Sequence, residues 1–441
     1  MSLAKAILGN TGATFVVYIL TLAAGVLTAR LLGPEGKGIY VLALLIPHLA
    51  VNVLTLGVGS ASTYFVARGE RDAATALGTS FAIVLPLGLA CTLMMEILLR
   101  AGWWSTPHAS YIALAIWSTV PTMGSALLRN TVLGLQQYGL FNWLLVMEKT
   151  VHLALLALGG VLWGGNVQTL CFLFVLGSFL SFTIAFGLVL RAVGSAPGVD
   201  LEYAGRALHY GLRGHVGWLA ELLNYRLDLL FVEALAGARA LGLYSAAVSL
   251  AETLWILPGC ISVVVMPRLA SAKNESSWIT APLCRLLSPL VLFATITLAL
   301  FGGPLIRLLY GHEFQASLSP LHLLLPGVAL LSIVKILSAD FAARGRPGLV
   351  SMVSWISLVV TIVLDLALIA PYAARGAAVA STVAYGTSTM VSLFLYWRLT
   401  SVGPGDLLVP RRTDARIALS VLRQAIERSP AVDILGGREN P

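Results

Sequence analysis

Residues 31–40 read LLGPEGKGIY and residues 235–244 read LAGARALGLY. In each stretch a glycine (Gly33, Gly237) stands seven positions before a tyrosine (Tyr40, Tyr244), and another (Gly38, Gly242) stands two before it. Long apolar runs flank both corners. A shift of 204 residues lays one corner on the other, and a shift of 209 lays QQYGL (136–140) on GRPGL (345–349). Two matches at nearly one offset predict a duplicated fold. Its halves are 1–195 and 207–400, with a linker at 196–206 inside RAVGSAPGVDLEYAGR (191–206) and a tail at 401–441.

Composition identifies the solvent. Hydrophobic residues make up 58% of the 441 positions and charged residues only 11%, against roughly 25% charged in soluble domains. Mean hydropathy is +0.88. A bilayer suits such a surface, because lipid-facing side chains should be apolar. The runs are long enough for helices of about 20 residues, not barrel strands of about 10. Twelve spans are predicted, at 10–32, 39–66, 76–99, 110–133, 140–163, 167–190, 208–234, 240–266, 282–302, 320–343, 348–371 and 376–398. The fold class is therefore an all-α membrane protein, with two parallel six-helix bundles around a central cavity. Six spans is an even number, so both halves enter from the same side, as parallel repeats do in some transporters.

The first span is too long for a secretory leader core and has a counterpart later in the chain, so it is read as retained. The net charge is +8. Thirteen Lys and Arg, from Lys5 through Arg206, Arg213, Arg268, Lys273 and Arg285 to Arg398, fall at one set of span ends, and six, including Arg30 and Lys37, at the other. The positive-inside rule then puts both termini in the cytoplasm. The basic balance reflects topology, and no nucleic-acid partner is expected. Cys91, Cys171, Cys260 and Cys284 lack ligand spacing, and no metal, phosphate loop or other cofactor motif is expected.

Charge at bilayer depth costs about 2.5–3.5 kcal/mol per residue on insertion scales, so it should face the interior or water. Span 7 is richest. At helical spacing Glu221, Asn224, Tyr225 and Asp228 share a face that Gly217 and Arg213 continue, whereas Arg226 and Glu233 point elsewhere. In span 2, His48, Asn52, Thr55 and Gly59 form another polar stripe, and the 204 shift pairs His48 with Glu252 of span 8. In span 5, Glu148 and His152 can meet, while Glu148 and Lys149 point about 100° apart. Span 10 carries Lys335 and Asp340, and span 11 Asp365. Pro47, Pro86, Pro121, Pro258 and Pro326 interrupt spans as kinks or hinges. The tail 411–428 has the pattern of a cationic amphipathic helix on the inner leaflet.

The stretches ARLLGPEGKGIYVLALLIPHLAVNVLTLGVGSASTYFVARG (29–69), NYRLDLLFV (224–232), LGLYSAAVSLAETLWILP (241–258) and VMPRLAS (265–271) resemble the lipid-linked oligosaccharide (O-antigen and polysaccharide) flippases. These belong to the multidrug/oligosaccharidyl-lipid/polysaccharide exporter superfamily. The resemblance implies a non-enzymatic secondary transporter of the bacterial cytoplasmic membrane. It would flip undecaprenyl-diphosphate-linked repeat units to the periplasmic leaflet by alternating access, coupled to protons or sodium, beside glycosyltransferases and a polymerase. Candidate groups for the diphosphate and sugar are Arg30, His48, Asn52, Lys149, Arg213, Asn224, Tyr225, Arg226 and Lys335. Candidates for the coupling cation are Glu221, Asp228 and Glu252. The alternative within the superfamily is a multidrug and toxin extruder. Such a cation antiporter would favour acids in its spans, whereas here three basic residues stand beside them.

Overall fold

The computed structural model describes residues 3–103, 106–272, 277–409, Arg411 and Asp414. Among them are fourteen α-helices and no strand. In order they are α1 (Leu3–Leu54), α2 (Val58–Ala67), α3 (Ala73–Arg100), α4 (Ala109–Ala115), α5 (Thr119–Gly134), α6 (Tyr138–Trp163) and α7 (Val167–Val193). Then follow α8 (Leu201–Ala251), α9 (Ile256–Ala272), α10 (Ser277–Leu309), α11 (Leu318–Ala343), α12 (Pro347–Tyr372), α13 (Ala374–Thr400) and α14 (Pro404–Leu408). Ten helical stretches are long and apolar enough to cross a membrane. Two of them, Gly9–Leu54 and Leu201–Ser262, contain a non-helical residue, Gly33 and Gly237 respectively. Dividing these two at their glycines makes the ten into twelve apolar limbs (10 + 2).

The repeated corner is one residue wide. Gly33 has φ 65°, ψ −178° and Gly237 has φ 82°, ψ 170°, a region essentially closed to any residue with a Cβ. Pro34 follows at once, and its fixed φ suits the first turn of the resumed helix. The two corners then pack on each other. A Cβ on Gly38 would collide with the Ala238 carbonyl, and one on Gly242 with the Pro34 carbonyl. Other left-handed residues follow the same offset: Gly102 with Gly311, Gln136 with Gly345, and Gly164 with Ala373, each 209 apart. Leu56, Gly57, Gly69 and Gly165 have no such counterpart among the described residues.

The long helices depart from straight spans where proline demands it. A 3₁₀ turn, Glu252–Trp255, precedes Pro258, and another, Ile116–Ser118, precedes Pro121. Proline removes one backbone donor and clashes with the carbonyl four residues back, so the ladder tightens just before it. Predicted span 2 is also interrupted, at Thr55–Gly57, where Leu56 and Gly57 have positive φ. The predicted linker is shorter at its far end, because Asp200 caps α8 by accepting from the Tyr203 amide at 2.9 Å.

The largest core unites α8, the 3₁₀ turn, α11 and parts of α1 and α13 around Tyr244, Trp255, Phe314 and Tyr385. Smaller cores lie among α3, α5, α6 and α7, and among α10, α11, α13 and α14. The 411–428 amphipathic tail lies outside the described residues except for Arg411 and Asp414, as do Lys273 and the side chains of Lys5 and Arg268. Asp414 holds Arg285 in a buried two-pronged ion pair at 2.7 and 2.8 Å, so Arg285, assigned to a membrane-flanking end, is committed to the tail.

Candidate transport chamber

Span 7 does not present one wet stripe. Asn224 and Asp228 are buried among helices. Asn224 Oδ1 accepts from Ser357 at 3.2 Å and Thr361 at 2.7 Å on α12. Asp228 Oδ2 accepts from Tyr244 OH at 2.6 Å, and its Oδ1 from the Leu229 amide at 2.8 Å. Glu221 accepts from Tyr225 OH at 3.2 Å. Arg226, expected to point away from the stripe, instead lines the main cavity. Its guanidinium grips Glu252 at 2.9 and 3.4 Å. The 3₁₀ turn carries Glu252 to the end of the α8 ladder, within reach of a residue 26 positions earlier.

That cavity has a volume of about 410 Å³ and is walled by Phe15–Gly25 of α1, by Tyr225 and Arg226, by Ser249–Ile256, and by Lys335. A second space of about 240 Å³ lies behind Tyr225 and Lys335, lined also by Glu221, Asn224, Ser262 and Ser354. Lys335 stands on the partition. Its ammonium is 4.7 Å from the Trp255 ring centre and 5.3 Å from that of Tyr225. Tyr385 closes the aromatic group at 5.9–6.0 Å from both rings. Ring faces attract a cation without neutralising it. Glu221 and Glu252 act on Lys335 electrostatically, yet it joins none of the ion pairs among the described residues, while Arg226, Lys149 and Arg129 are all tied to carboxylates.

From the opposite wall, α1 and α6 contribute. His48 is exposed, and Asn52 Nδ2 lies 3.2 Å from its Nε2. Lys149 and Arg226 both act electrostatically on the His48 ring, so residues far apart in sequence share one region. Lys149 does reach Glu148, at 3.0 Å, and Arg129 holds the other carboxylate oxygen. The angular argument separating Glu148 from Lys149 fails because the long lysine stem bends back. His152 meets the backbone of Glu148 instead, at 2.8 Å, and Ser178 at 3.2 Å. Arg30 is not brought to this region. Its guanidinium is spent on the terminal carbonyls of α10, with Nε 2.7 Å from Leu309 O and a second bond to Leu308 O. Arg213 is exposed on the first limb of α8.

Sequence reasoning missed the aromatic group, because Trp255 and Tyr385 are ordinary residues of apolar spans. It named Asp365 without a role. That carboxyl is fully buried, neither oxygen has a hydrogen-bond partner, and Asp228 acts on it electrostatically. No cluster of three or more metal-ligating side chains occurs among the described residues.

The fold is shared with solved transporters. A lipid II flippase, MurJ, in an inward closed conformation aligns over 97% of this chain and 93% of its own, with TM-score 0.74 and 16% identity. An inward-facing multidrug resistance MATE transporter aligns over 91% and 99%, with TM-score 0.69 and 15% identity. Its outward-facing counterpart reaches 0.61 over 90% and 96%, at 14% identity. The probable low-salt glycan biosynthesis flippase Agl15 of Haloferax volcanii is 24% identical over 155 residues, 34% of this chain; the match spans about one third of that relative, 33%. The family and these neighbours are flippases and transporters, not catalytic enzymes. The profile of the polysaccharide biosynthesis protein family matches residues 3–273, more than half of the chain, and the protein is a multi-pass membrane member of that family.

Proposed function

We propose that this chain is a flippase for undecaprenyl-diphosphate-linked oligosaccharides in the bacterial cytoplasmic membrane, for O-antigen, lipopolysaccharide or a related surface glycan. It moves repeat units from the cytoplasmic to the periplasmic leaflet, with both termini cytoplasmic. The halves 1–195 and 207–400 rock about the packed corners, and the tail 401–441 is dispensable. The observation that carries the reading is Lys335, a cation held by aromatic rings at the wall of a cavity and by no carboxylate. A diphosphate can bind it without first breaking an ion pair. Arg226, Tyr225 and Asn224 complete one wall, and His48, Asn52 and Lys149 meet the sugar from the other. Arg30 and Arg213 serve outside this contact.

Coupling to a proton or sodium ion fits the buried acids. Asp228 and the unpartnered Asp365 lie behind the chamber wall with Tyr244 and Ser381, and Glu221 and Glu252 stand between them and Lys335. The same acids favour the second reading, export of cationic drugs. Reconstitution separates the two. Vesicles containing the protein, a labelled lipid-diphosphate-oligosaccharide and an imposed proton or sodium gradient should flip the lipid, and ethidium should not move. Ethidium efflux without lipid flipping would overturn the flippase reading. The delivering glycosyltransferase and the polymerase that consumes the product are the partners this activity requires.

A further inference from the structure

A second concavity, about 430 Å³, opens on the outer side of the 3₁₀ turn, between that turn with the start of α9 and the length of α10. Its lining includes Leu254, Leu257, Ala294, Leu298 and Phe301. Thr253 lines both this groove and the 410 Å³ chamber, so the two spaces are separated by one turn of backbone. The groove has no free polar side chain. Its only two hydroxyls return to their own helices, Thr253 to Leu250 O at 2.6 Å and Thr297 to Phe293 O at 2.9 Å. A sugar or phosphate would find no partner there, whereas hydrocarbon would lose nothing. Along α10 the lining runs from Leu290 to Leu305, about 22 Å at 1.5 Å per residue, in the direction of the bilayer chains.

We infer that this groove holds the polyprenyl tail of a lipid-linked diphosphate while its headgroup occupies the chamber, an assignment that rests on the flippase reading. An amphiphile with an anionic head beside a long apolar chain matches a cationic chamber sharing a wall with an aliphatic groove, and tethering the two parts makes each raise the local concentration of the other. The 3₁₀ turn Glu252–Trp255 is then a threshold. It carries Glu252 and Trp255 on the headgroup side and Thr253 and Leu254 on the tail side.

The test is photolabelling of the purified full-length protein in lipid nanodiscs. One probe is a long-chain polyprenyl diphosphate with a diazirine near the end of its chain, and the other a phospholipid with the same group on an acyl chain. Peptides covering 290–305 should take up at least fivefold more of the polyprenyl label than of the phospholipid label. Ala294→Trp should remove that excess, and the milder Ala294→Leu should reduce it if the larger variant folds poorly. Met390→Trp, at an exposed position of α13, should leave it intact. Equal labelling by both probes, or polyprenyl label recovered mainly on α1, would overturn the assignment. Groove labelling with no lipid flipping in the reconstituted system would leave the groove standing and remove the transport reading instead.

Discussion

Helices α1 and α8 meet along two seams that share parents but behave differently. Along one, the second limb of α1 follows the first limb of α8. There the Gly57 backbone abuts Gly211, and His215 lies 3.1 Å from Val53 O. Along the other, the first limb of α1 and the last turns of α8 stand apart around the 410 Å³ cavity. Lipid tails are as apolar as leucine, so membrane helices close only where small residues let backbones touch. Glycine closes the first seam and the corner. Phe15, Tyr18, Arg226 and Glu252 are too large and too polar to close the second. The comparison teaches that this chain separates its static contacts from its working space by side-chain size.

The sharpest way to break that comparison is to put a side chain into the closed corner. Gly242→Ala or Gly38→Ala places a Cβ inside a backbone carbonyl that cannot yield, and overpacking of this kind is expected to cost about 3 kcal/mol or more. Thermal unfolding of the purified variants checks it, and a melting temperature equal to the parent's would show that the corners do not depend on close approach. In the open seam the effect should fall on transport. Lys335→Ala is expected to slow flipping about thirtyfold, near 2 kcal/mol, with Lys335→Arg keeping part of the rate and both variants melting like the parent. Undiminished flipping by Lys335→Ala would remove the ammonium from the site.

Behind the wall, Tyr244→Phe takes one donor from the buried Asp228 carboxylate, a loss of about 1 kcal/mol of stability. A changed dependence of transport on proton or sodium concentration should accompany it if Asp228 carries the coupling cation. The smallest effect should come from outside the membrane. Asp72 caps α3, its carboxylate accepting from the Thr75 amide at 2.8 Å, and that bond holds it below the usual carboxylate range. Asp72→Ala should cost about 0.5–1 kcal/mol. Because the folded group is the stronger acid, the cap contributes fully above the unfolded value of roughly 3.9 and is lost as pH falls through the lower, folded one. Melting curves of parent and variant should converge in acid; a gap that persists there would assign the cap to something other than the ionised carboxylate.

Much of the fold was legible. Apolar run length required helices, and the limbs appear close to their predicted positions. The paired Gly-to-Tyr spacing located both corners because only glycine reaches their backbone angles. Within the site, charge at bilayer depth singled out Arg226, Glu252, Asp228 and Lys335, since such residues persist only where something compensates them. The helical wheel misassigned the rest. It assumes straight helices and short side chains, but α8 ends in a 3₁₀ turn and lysine and arginine reach across a turn. Lys149 therefore meets Glu148, and Arg226 faces the cavity that Asp228 was expected to line.

By itself the sequence determined that the chain lives in a bilayer, that its helices break at Gly33 and Gly237, and which charges must be buried or wet, because those outcomes follow from local backbone energetics and the cost of transfer from water. Only the tertiary structure decided which cation is left unneutralised. That depends on Trp255 and Tyr225 standing beside Lys335 while Glu252 is taken by Arg226. The competition runs between residues 26 to 110 positions apart, from Arg226 to Glu252 and from Tyr225 to Lys335. It is settled by distance in space, which periodicity along a chain does not encode.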